Sequence, residues 1–84
     1  MNQVQLAAKL YECRDTCKKL WGVEWKKEVE FHTRLIQAAM KKHNINNEIQ
    51  AAMKLINDVG EADSSGVFTM KCLAAAVELI EPSN

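Results

Sequence analysis

The feature that most constrains this chain is where it lacks helix breakers. The only proline is Pro82, and the three glycines are Gly22, Gly60 and Gly66. Proline costs a helix interior about 3 kcal/mol and glycine about 1 kcal/mol relative to alanine. The long stretches between these breakers therefore read as helices. The expectation is an all-α fold, a compact bundle of three to four short helices, in one domain spanning residues 1–84.

Apolar periodicity places the helices. Leu6, Leu10, Cys13, Cys17 and Leu20 alternate spacings of four and three, which puts them on one stripe of a helix over about 3–20. Gly22 suits its C-terminal cap. A second helix over about 23–43 carries the stripe Trp25, Val29, His32, Ile36, Ala39 and His43. Phe31, Leu35 and Ala38 widen that stripe and predict neighbours on two sides. Lys41, Lys42 and His43 suit a helix C-terminus, where the dipole favours positive charge.

Asn44-Ile45-Asn46-Asn47 predicts a turn, because asparagine tolerates left-handed backbone and caps helix N-termini. The hexapeptide Ile36–Lys41 recurs as Ile49–Lys54, thirteen residues later. In one continuous helix the second copy would be rotated by about 220°, so a break between them is needed for both to face one core. The third helix is expected over about 47–59 with Ile49, Ala52, Met53 and Ile56 inward. Residues 60–68 form the only long loop. Thr69 is expected to cap a fourth helix over about 70–81, with Leu73, Ala76, Val77 and Ile80 inward.

Net charge is zero, which argues against general polyanion binding. Its distribution is uneven. Residues 1–43 carry nine Lys/Arg and five Asp/Glu, while residues 44–84 carry two and six. Two readings follow: the halves attract one another within the bundle, or a charged partner or second copy meets one of them.

No apolar run reaches the roughly 18 residues of a membrane span, and the N-terminus lacks the basic-then-apolar order of a signal peptide. Three cysteines without a dense framework suggest reduced thiols and a cytoplasmic protein. Cys13 and Cys17 sit in the apolar stripe, where free cysteine acts as a small hydrophobe. Helical neighbours four apart hold their Cβ atoms about 5–6 Å apart, beyond the roughly 4 Å of a disulfide. Neither a metal site nor a cofactor is expected. His32 and His43 lie about 16 Å apart along one helix and cannot share a proton. His32 reads as a boundary residue, and no nucleophile–base pair stands out, so an enzyme is not expected.

Three short resemblances bear on function. Residues 61–72 resemble an EF-hand loop, with Gly66 sixth, Phe68 eighth and oxygen donors at Glu61, Asp63, Ser65 and Thr69. Cys72 stands where that family has its bidentate glutamate, so calcium binding is not expected. Residues 58–64 resemble an acyl-carrier attachment site, but the twenty residues after Ser64 are too few for that fold. Residues 40–53 resemble a helix-turn-helix, which implies Asn47, Gln50, Ala51 and Lys54 on the outward face of a reading helix.

Trp21 and Trp25 are bracketed by Lys18, Lys19, Lys26 and Lys27. They either anchor the corner between the first two helices or form an exposed aromatic-basic patch. The second reading makes Lys18, Lys19, Trp21, Trp25, Lys26 and Lys27 the partner-binding residues, facing an acidic protein surface. The expected function is a non-enzymatic protein-binding module. In size the chain resembles accessory proteins of bacteriophages and mobile elements that act as inhibitors or adaptors. A homodimer is compatible with the charge asymmetry. The alternative is a small DNA-binding regulator using residues 44–54.

Overall fold

The structure, a computed structural model, describes residues 3–82, with side chains at 5 and from 8 onward. Four helices follow one another: α1 over Gln3–Trp21, α2 over Trp25–His43, α3 over Glu48–Val59 and α4 over Val67–Ile80. Single 3₁₀ turns at Gly22–Glu24 and Gly60–Ala62 join them. This is the all-α bundle the breaker pattern predicts.

α4 is the hub and packs against each of the other three helices. α2 and α3 pack on one another, α1 meets α2 over a narrow border, and among the described residues α1 and α3 make no close approach. The sequence of α4 explains this. Cys72, Ala74, Ala75, Ala76 and Val77 are all buried, on several sides of the helix. Small side chains let flanking helices come near, and alanine keeps helix propensity high. Leu73 is only half-buried and Ile80 is exposed, contrary to the single inward stripe expected there.

The core has two parts. One joins Ile36 and Ala39 of α2 to Ala51 and Ala52 of α3 and to Cys72, Ala75 and Ala76 of α4. The other joins Cys17, Trp25 and Ala74. Burying Ile36 completely is worth about 1.5–3 kcal/mol.

The α2 stripe is observed at Trp25, His32, Ile36 and Ala39, whereas His43 is exposed. The proposed widening fails at Phe31 and Ala38, which are also exposed. α2 reaches α3 and α4 mainly through this narrower stripe, with Met40 packed beside it. In α1, Leu10 and Cys17 are buried and Cys13 half-buried, but Leu20 is 63% exposed, contrary to the stripe expected there. The Leu6 side chain lies outside the described residues. In α3, Met53 is 60% exposed, and Ala51 is fully buried in its place.

The 44–47 turn forms as expected. Asn44 adopts left-handed backbone, φ 54°, and the N–H groups of Asn44 and Ile45 return to the Met40 carbonyl. Asn47 caps α3 by accepting from the Gln50 N–H at 2.9 Å. Both hexapeptide copies face the core, though unequally: Ala51 is buried where its counterpart Ala38 is exposed. The cap of α4 is different from the one expected. Asp63, not Thr69, supplies it, accepting from the Phe68 N–H, the Thr69 N–H and the Thr69 hydroxyl.

Candidate functional site at the α1–α2 corner

The corner is built by Gly22. Its φ of +52° is backbone that non-glycine residues rarely adopt, and it lets the chain leave α1 and enter a 3₁₀ turn. Lys18 and Lys19 occupy the last turn of α1, where the helix dipole favours cations.

The two tryptophans take different roles. Trp25 is 6% exposed and packs with Cys17 and Ala74 in the core. Trp21 is half-buried and lies against it, ring centroids 6.4 Å apart at 34°. Lys71 of α4 covers the Trp21 ring at 4.6 Å and pairs with Glu28 of α2 at 3.0 Å. The aromatic pair thus anchors the corner, with Trp25 buried and Trp21 half-buried.

What the corner does expose is aliphatic. Val23 is 92% exposed and Leu20 63%. A shallow cleft beside them is lined by Lys18, Val23, Trp25, Lys26, Val29 and Glu78. Lys19, Lys26 and Lys27 are exposed and Lys18 half-buried. Among the described residues, no ion pair takes up the charge of these four lysines. The two halves of the chain are tied together by Arg14–Glu78 at 3.3 Å and by Lys71–Glu28. Attraction between the halves therefore uses Arg14 and Lys71 in its close ion pairs.

Sequence reasoning missed Val23 and Lys71. An apolar residue directly after Gly22, outside either helix stripe, was the available signal for Val23. Nothing local marks Lys71, whose role comes from α4 lying under the corner.

The remaining candidates take other places. His32 is buried rather than at the boundary. Its Nδ1 donates to the Glu28 carbonyl at 2.7 Å, and its ring meets Phe31 and Phe68. Burial pushes the thiols of Cys17 and Cys72 up to about 12 and raises that of Cys13. The Asp63 carboxylate is held below the ordinary aspartate range, first by the Thr69 hydroxyl and then by the Thr69 and Phe68 amides. Those bonds turn Asp63 toward α4, and Cys72 faces the core. In the segment resembling a helix-turn-helix, Gln50 is exposed, but Ala51 is buried against α2 and α4 rather than outward, and Asn47 is engaged as a cap. Among the described residues no helix is long and apolar enough to cross a membrane, and no group of three or more His, Cys, Asp or Glu is placed to hold a metal ion.

The chain matches no protein-family model, no curated protein and no solved structure.

Proposed function

We propose that this protein is a non-enzymatic binding module that docks on an acidic, partly apolar protein surface through the α1–α2 corner, as an inhibitor or adaptor of a larger protein would. The observation that carries this reading is the corner itself. Val23 stands in solvent on a turn fixed by Gly22 and Leu20 on the last turn of α1, and near them lie four lysines that form no ion pair among the described residues. An apolar centre with a charged rim is the anatomy of a protein interface. The aliphatic groups would lose water on docking. The lysines would steer the encounter and set its salt dependence. Zero net charge on the whole chain favours a local acidic partner over a general polyanion.

The test is affinity capture from cells that express the protein. Wild type is compared with the double reversal Lys26→Glu/Lys27→Glu and with Glu61→Lys in the acidic half. The corner reading expects the double reversal to lose the captured protein with its helical circular dichroism intact, while Glu61→Lys retains it. Loss with Glu61→Lys alone moves the binding face to the acidic half.

A further inference from the structure

Cys13 and Cys17 stand about one turn apart on α1, and both thiols donate to a single acceptor, the main-chain carbonyl of Met70, at 3.2 and 3.7 Å. Two sulfurs and one carbonyl oxygen thus converge between α1 and α4. Cys17 is fully buried, while Cys13 is half-buried and gives the place an opening. The third thiol, Cys72, lies in the other core cluster, beside Ile36 and Ala75.

We propose that Cys13 and Cys17 together form a two-thiolate site for one soft monovalent cation of the copper(I) class. The donor set decides the class. Structural zinc takes four ligands, and no third His, Cys, Asp or Glu joins this pair among the described residues. Thiolates select soft ions, and copper(I) is content with two of them. On binding, each thiol releases its proton to solvent, and the cation takes one electron pair from each sulfur. No electron changes hands. The product carries one net negative charge, and the Lys71 ammonium, held by Glu28 and the Trp21 ring, favours the thiolate form of Cys17. Burial raises both thiols, so the ion must displace protons that are firmly held, and binding tightens as pH rises.

The experiment is anaerobic competition of the whole protein against copper(I) held by bathocuproine disulfonate, read as copper bound per chain and protons released per copper. The expected result is one copper(I) and two protons per chain, with the helical circular dichroism retained. Cys72→Ser binds as wild type. Cys13→Ser, at the half-buried position where folding tolerates the change, loses the stoichiometric site, and Lys71→Met weakens it. Failure of wild type to take copper from the chelator overturns the proposal. So does equal binding by Cys13→Ser, loss in Cys72→Ser, or one copper shared between two chains.

Discussion

The ammonium of Lys71 lies over the indole of Trp21, 4.6 Å from the ring centroid. The same ammonium pairs with Glu28 at 3.0 Å, so one α4 side chain grips α1 and α2 on either side of their corner. Cation–π contacts at partly desolvated sites contribute about 0.5–2 kcal/mol. The exposed lysines around Val23 are thus carried on a turn that α4 holds from beneath.

Lys71→Met keeps the aliphatic stem and removes the charge. Denaturant unfolding should show a loss of about 1–2 kcal/mol. Trp21 emission should also become easier to quench with acrylamide. An unchanged midpoint together with unchanged quenching contradicts this role for Lys71.

The thiols should be slow to react in the folded protein. Thiolate is the reactive form, and burial disfavours it at all three cysteines, with Cys17 and Cys72 pushed to about 12. Because the folded values are raised, stability is complete below the ordinary thiol value of 9 and falls as pH rises from there toward about 12. Labelling at pH 8 should modify Cys13 first, and all three should label quickly in denaturant. Equal, rapid labelling of native Cys17 and Cys72 would show that they are not buried as described.

Asp63 should give the protein an acid-sensitive limb. Its folded value lies below the ordinary 3.8, so its contribution is fully present above that value and is lost as pH falls through the lowered one. Asp63→Ala removes the cap from the Phe68 and Thr69 amides. It should lower the thermal midpoint at pH 7 and flatten the loss of stability below pH 3.8. An acid limb identical to wild type contradicts the assignment.

The α2–α3 turn rests on the left-handed backbone of Asn44, φ 54°. That conformation costs a residue with a Cβ about 1–2 kcal/mol. Asn44→Gly should hold or raise the unfolding midpoint, and Asn44→Val should lower it by about that energy. The reverse order contradicts the turn geometry.

Helix order, turn positions and the α2 stripe were legible because each has a local cause. Gly22, Asn44 and Asn47 act within their own neighbourhoods, and Trp25, His32, Ile36 and Ala39 keep helical spacing. What was not legible depends on which helix lies where. α4 is buried on several sides, so Ala74 and Ala75 belong to the core although they break a single stripe. α1 and α3 make no close approach, so Met53 and Ile80, correctly spaced for burial, remain in solvent beside Leu10 and Ile49. Of the six residues expected to bind a partner, Trp25 proves to be core and Trp21 half-covered, because Lys71 and Ala74 come from a helix some fifty residues away. Asp63 displaced Thr69 as the cap of α4 because its carboxylate reaches two amides and a hydroxyl at once.

The most direct test of the corner as the working surface is site-specific photo-crosslinking in the cells that express the protein. A photoreactive side chain is placed at Val23 in one variant and at Met53 in another, both exposed positions. A discrete covalent adduct with another protein is expected from position 23, suppressed by Lys26→Glu/Lys27→Glu, and none from position 53. An adduct from position 53 alone, unaffected by the reversals, would place the binding face at the apolar gap between α1 and α3 and contradict the account.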